Sequence, residues 1–210
     1  HKAALSKMAG ALAHRGPDGE AQWINQNNST GFAHRRLSVI DMSEAAGQPM
    51  HFHNRYTIVY NGEIYNYLEL KDGLLQKGYE FRTVSDTEVI LAAYSAYRED
   101  CVNHFDGMFS FAIWDDENQL LFCARDRFGE KPFYYFYDEH DQSFYFASEL
   151  KGLYAAGIER RDNNGLLLRY LGSGYTSEPS DRSRTFDARI KSLPASHHLH
   201  FSLNNQGPVI

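Results

Sequence analysis

Four short apolar runs, MFSFAIW, LLFCA, PFYYFY and SFYFAS, succeed one another over residues 108–148, separated only by the turn-rich DDEN, RDRFGEK and DEHDQ. Such runs bounded by Asp, Asn, Gly and Glu read as strands, and their succession reads as an antiparallel meander. The constraint lies in what they lack. A strand with one wet face alternates apolar and polar residues, whereas these do not, so both of their faces must be covered. Two stacked sheets with helices packed outside satisfy that demand.

Elsewhere the period is helical. Leu5, Met8 and Leu12 share one helical face, and Arg15-Gly16-Pro17-Asp18 ends that helix in a loop. Residues 31–41, GFAHRRLSVID, and 56–60, YTIVY, read as strands. Asn66 with Glu69, and Ser85 with Glu88, have capping-box spacing. They predict one helix carrying Tyr67, Leu70 and Leu74 and a second, amphipathic one carrying Ile90, Ala93, Tyr94 and Tyr97. SELKGLYAAG and GLLLRYLG read as short helices, and HHLHFSL as a last strand. Between the second strand and the first capping box lies YNGEIYN, residues 60–66, which has two readings. Asn-Gly is a strong hairpin-turn signal, yet Asn-Gly-Glu at a strand end can also present a side-chain amide, a backbone N–H and a carboxylate to one small ligand. The helical pattern that follows favours the second reading.

Several function classes are excluded early. The chain of 210 residues carries a net charge of -6 with no basic run, which argues against nucleic acid or an anionic membrane surface as partner. No apolar stretch approaches the roughly 20 residues of a membrane span. Cys101 and Cys123 show neither metal spacing nor a disulfide framework, and both read as inert core thiols; a reducing, cytoplasmic setting is expected. His51 and His53, like His198 and His200, alternate along expected strands but lack Cys or carboxylate partners at suitable spacing, so they read as surface or core residues and no metal site is expected. There is no nucleophile elbow and no phosphate-cradling Gly loop.

Five motifs in order, HRGPDGE (14–20), HRRLSVID (34–41), YNGEIYN, SDTEV (85–89) and RDRFGEKPFYY (125–135), resemble the glutaminase domain of glutamine-hydrolysing asparagine synthetases, a class II glutamine amidotransferase. The likeness runs over nearly the whole chain and weakens after Gly157. It implies an α+β fold, the four-layer αββα sandwich of N-terminal nucleophile hydrolases with two antiparallel sheets, in which residues 1–157 form the core of the domain and 158–210 its remainder. It implies hydrolysis of L-glutamine to glutamate and ammonia through a thioester on an N-terminal cysteine, whose own α-amine, with a pKa of about 7.7–8.0, takes the thiol proton. The helical pattern is already under way at His1, so that cysteine and its strand are expected upstream of it.

Carried over residue by residue, the resemblance assigns Asn61 and Gly62 to an oxyanion hole, Arg36 to the substrate α-carboxylate, and Asp86 with Glu63 to the α-ammonium. Arg35, beside Arg36, would point to the opposite face and carry a structural role. Asp86 also suits a helix N-terminus whatever the function. Arg125, Asp126 and Lys131 read as structural, packing a loop through salt bridges. No cofactor is implied for this domain. A following synthetase domain would use ATP and magnesium; the subunit number, a homodimer included, stays open. Two rival functions remain: another class II amidotransferase, serving an amino-sugar or purine precursor, and a domain of the same fold that only binds or scaffolds.

Overall fold

The computed structural model describes residues 2–37, 43–202 and 207–210. The chain runs α1 (Lys2–Ala11), β1 (Gly19–Ile24), β2 (Gly31–Arg36), β3 (Met50–Phe52), β4 (Tyr56–Ile64), α2 (Tyr67–Gln76), α3 (Asp86–Tyr97), β5 (Gly107–Asp115), β6 (Leu120–Arg125), β7 (Tyr134–Asp138), β8 (Ser143–Ala147), α4 (Leu150–Ala155), α5 (Asn164–Ser173), β9 (Lys191–Ser192) and β10 (His198–Ser202). The second half of the expected strand over residues 31–41 lies outside the described residues.

The missing polar alternation has a direct cause. In β5, Phe109, Phe111 and Ile113 pack under α2 and α3, while Ala112 and Trp114 pack against the second layer of strands. β6 does the same with Phe122 and Ala124 on one side and Leu121 and Cys123 on the other. A period of two therefore distributes apolar residues to two different cores. The central antiparallel sheet has the order β10-β6-β5-β4-β3. Facing it are a two-stranded ribbon, β1-β2, and a three-stranded sheet, β8-β7-β9. Tyr134 and Phe136 of β7 and Tyr145 of β8 turn outward to meet Met8 and Leu12 of the first helical segment and Leu153 of α4. The result is a four-layer αββα sandwich. Among the described residues no helix is long and apolar enough to cross a membrane.

Several expectations need correction. The four apolar runs are no single meander: β5 and β6 belong to the central sheet, whereas β7 and β8 pair in the other. RDRFGEK is the crossover between them rather than a hairpin turn. That loop is held without ion pairs between its members. The Arg125 guanidinium donates to the carbonyls of Gly129, Lys131 and Leu193 at 2.6–2.7 Å and to Ser192 Oγ at 3.0 Å. The Asp126 carboxylate accepts the backbone N–H groups of Phe109, Phe128, Glu130 and Lys131.

The first capping box is absent. Asn66 sits at the N-cap of α2 without a cap bond, because its side chain instead bridges His104 O and the Asp106 N–H. The second box is half formed: Ser85 Oγ accepts from Thr87 N–H, but Glu88 turns back to the N–H groups of Arg82 and Thr83. α3 is not amphipathic over its first nine residues, which are all buried. His51 lies on β3, but His53 has left the strand with a positive φ of 52°. Residues 19–24, expected as loop, form β1 because pairing with β2 supplies what their own pattern does not. Finally, Asn61-Gly62 is not a turn. β4 runs straight through it to Ile64, paired with β5 from Tyr56↔Asp115 to Ile64↔Gly107.

Candidate active site

The site grows from one bare strand edge. β3 pairs with β4 only through Tyr56, Thr57 and Ile58, so from Tyr60 onward the outer edge of β4 has no neighbouring strand. Backbone polar groups left this way must find other partners. Three side chains stand in for the strand. Gln48 Oε1 accepts the Tyr60 N–H at 2.6 Å, His34 Nε2 donates to Tyr60 O at 3.2 Å, and Asp86 Oδ2 accepts the Ile64 N–H at 3.0 Å.

Gly62 lies between them on the same edge, since alternate residues of a strand point their backbone groups the same way. Its ladder partner, Phe109, has both backbone groups committed elsewhere: its N–H donates to Asp126 Oδ2 at 3.3 Å and its carbonyl accepts from Asp126 N–H at 2.8 Å. The Gly62 N–H is thus turned away from β5, and no side chain or loop carbonyl among the described residues accepts it. Gly62 has φ +156°, and a Cβ there would stand 2.7 Å from Phe109 Cα. Glycine is required first by the neighbouring strand and only then by anything that approaches the edge.

Beside it, Asn61 Nδ2 is buried with no acceptor. A buried donor without a partner costs about 1–3 kcal/mol, so two adjacent unclaimed donors, one amide and one main-chain, form a costly arrangement suited to an anionic oxygen.

Asp86 is 4% exposed at the start of α3, where Tyr60 Oη donates to its Oδ2 at 2.8 Å. Burial pushes its carboxyl upward, opposed by the Ile64 N–H and the Tyr60 hydroxyl and reinforced by the nearby Glu63 carboxylate. Asp86 therefore clamps the end of β4 to α3 as well as facing the cavity. Arg36 ends β2, with Nη1 donating to Ser43 O at 2.9 Å. Arg35 points the other way, to Ala9 O at 3.0 Å and Glu20 Oε2 at 2.7 Å, and takes the structural role expected of it.

All five residues named from the sequence, Arg36, Asn61, Gly62, Glu63 and Asp86, line one cavity of about 440 Å³. So do consecutive residues 31–37 and 144–148. Consecutive residues of a strand alternate in side-chain direction, so lining by all of them means that the cavity runs along the edges of β2 and β8. Away from the polar end its walls are apolar, with Leu5, Met8, Phe32, Val59, Phe144 and Phe146. Neither cysteine lines it, and burial drives both thiols upward, away from the reactive thiolate.

Sequence reasoning passed over Gln48, Tyr60 and His34. Period two in FAHRR was the available signal for His34, because it places that residue on the face of Arg36. Burial, with a smaller push from Arg36, lowers the His34 pKa from 6.5 to about 4 despite the Tyr60 carbonyl bond. A histidine depressed in this way contributes full stability above its unfolded pKa and loses it as the unfolded chain takes up the proton first. Unfolding free energy is expected to fall by about 3 kcal/mol from this residue between pH 6.5 and about 4. Asp86, shifted upward, offsets part of that loss. Urea titrations across this range on the protein and its His34→Gln variant isolate the effect, since the variant's curve should lack it.

The family model described as "Glutamine amidotransferase domain" matches residues 1–207. "Asparagine synthetase [glutamine-hydrolyzing] 1" of Bacillus subtilis (strain 168) is 41% identical over 207 residues, covering 98% of this chain and 31% of that protein. "Putative asparagine synthetase [glutamine-hydrolyzing] 2" of Methanocaldococcus jannaschii is 39% identical, covering 98% of this chain and 42% of that protein. The chain thus spans about a third of the length of such relatives. Among solved structures, the glutamine phosphoribosylpyrophosphate amidotransferase from B. subtilis superposes with a TM-score of 0.60 at 19% identity, over 73% of this chain and 40% of that one. An allosteric regulatory enzyme of purine biosynthesis gives 0.65 at 16% identity, over 98% and 45%. At those identities the two structures bear on the fold alone.

Proposed function

We infer the chemistry from one premise: this chain belongs to the glutamine amidotransferase domain family. Its cavity would hydrolyse L-glutamine to glutamate and ammonia. The observation that carries this reading is the pair of unclaimed donors on β4, Asn61 Nδ2 and the Gly62 N–H, which match the oxygen that becomes negative when a nucleophile adds to a carboxamide. Arg36 would bind the α-carboxylate with its planar fork, and Glu63 with Asp86 the α-ammonium. A guanidinium and two carboxylates around one small cavity select a free amino acid over a glutamine embedded in a peptide.

The nucleophile would be an N-terminal cysteine of the intact protein. A strand leading from it suits the space between the edges of β2 and β8, whose unpaired backbone groups and apolar walls fit one more strand. The α-amine would take the thiol proton, the thiolate would add to the carboxamide carbon, and collapse of the tetrahedral species would expel ammonia with that proton. Water then cleaves the thioester to glutamate. In a larger asparagine synthetase, the ammonia would pass to a synthetase domain that activates aspartate with ATP and magnesium.

The test is ammonia release from glutamine by the intact protein; none would overturn the reading. Within it, Arg36→Ala is expected to lower glutamine kcat/KM by roughly 10- to 100-fold, as for loss of a charge-assisted bond, while free ammonia still serves as nitrogen donor. Equal loss of both activities would mean that Arg36 holds the fold.

A further inference from the structure

We propose that His34 reads the amide nitrogen of the substrate: its Nδ1 accepts a hydrogen bond from the carboxamide N–H while Asn61 and Gly62 hold the oxygen. The proposal rests on the glutaminase reading and names the group that tells a carboxamide from a carboxylate.

The tautomer follows from geometry. Tyr60 O can only accept, so the ring nitrogen 3.2 Å from it, Nε2, carries the proton. Burial keeps the ring neutral at working pH, which leaves a lone pair on Nδ1. That nitrogen is buried and has no donor. His34 and Asn61 line the same cavity, and both rest on the same peptide unit: His34 bonds the Tyr60 carbonyl, and the next residue is Asn61.

Among the described side chains lining the cavity, the buried polar atoms without partners are therefore one donor, Asn61 Nδ2, and one acceptor, His34 Nδ1. With the Gly62 N–H, they are the inverse of a primary carboxamide, whose oxygen accepts and whose nitrogen donates. The γ-carboxylate of glutamate offers only lone pairs and would oppose Nδ1. A site with a buried hydrogen-bonding group discriminates strongly against an analogue that leaves it unpaired. His34 would thus favour glutamine over its own product.

The test uses the complete enzyme and two substrates, L-glutamine and L-glutamate γ-methyl ester, whose leaving atom carries no N–H. In His34→Gln the longer amide can still donate to Tyr60 O but offers no acceptor at the Nδ1 position. In His34→Asn the side-chain oxygen can occupy that position but the amide does not reach Tyr60. Glutamine kcat/KM is expected to fall roughly tenfold or more in His34→Gln, with ester kcat/KM within about threefold of the parent, and His34→Asn should recover part of the glutamine loss. Equal loss on both substrates would show that His34 only braces the Tyr60 carbonyl, and unchanged kinetics would show that Nδ1 contacts nothing that reacts; either overturns the proposal. A parent enzyme that cleaves the ester but not glutamine, or neither, removes the glutaminase reading itself, and the role of His34 falls with it.

Discussion

Asn61→Ala in the complete enzyme is expected to lower glutamine kcat by about 100- to 1,000-fold with little change in KM, the cost of one oxyanion donor. The expectation follows from where the amide sits. Its Nδ2 has no acceptor in the resting cavity, so it stabilises nothing that substrate binding must break. The substrate carbonyl is a weak acceptor and the tetrahedral oxygen a strong one, so on the proposed reading the donor would act mainly in the transition state. Stability should not suffer, because truncation removes a buried unsatisfied group rather than a bond. Steady-state kinetics with a urea unfolding curve separate the outcomes. A rise in KM alone would move Asn61 from the oxyanion to ground-state binding.

The largest stability loss is expected at Asp126→Ala. Its carboxylate is fully buried and accepts four backbone N–H groups, at 3.0 Å from Phe128, Glu130 and Lys131 and at 3.3 Å from Phe109. Removing it strands four buried or half-buried donors at about 1–3 kcal/mol each, a loss of at least about 4 kcal/mol against a typical total of about 5–15. The damage would fall beside the site, since Phe109, opposite Gly62 in the ladder, is bonded to Asp126 through both of its backbone groups. Desolvation raises the Asp126 carboxyl and the N–H groups lower it, with a net downward shift. A depressed carboxyl contributes stability above its unfolded pKa and loses it as pH falls through the folded one, so the gap between wild type and variant should narrow in strong acid. Urea midpoints measured at neutral pH and in acid check both statements. A neutral-pH loss under about 1 kcal/mol would mean that the loop reorganises around water.

Much of the molecule was legible because local pattern and global packing agree. The doubly covered strands of residues 108–148 called for stacked sheets, and the helical period of Leu5, Met8 and Leu12 located a helix that the third core uses. Arg36, Asn61, Gly62, Glu63 and Asp86 were named through motif resemblance, and the fold gathers them in one cavity. Misreadings fell where a side chain had more than one use. Asn66 has the spacing of a cap but serves the Asp106 loop, and Glu88 serves the turn before its helix rather than the cap. Arg125 and Asp126 look like an ion pair in sequence, yet each bonds backbone groups instead.

The sequence by itself determined which residues are apolar at which period, and so the layers, most of the strands and helices, and the chemical types available at YNGE. Only the tertiary structure decided that β3 begins no earlier than Met50, opposite Ile58, and leaves the rest of the β4 edge bare, that Gln48, His34 and Asp86 fill in for a strand, and that Asp126 ties both backbone groups of Phe109. Those outcomes depend on which backbone groups from distant segments satisfy one another. Hydrogen-bond saturation of that kind is a property of the assembled chain, with no local signature in residue order.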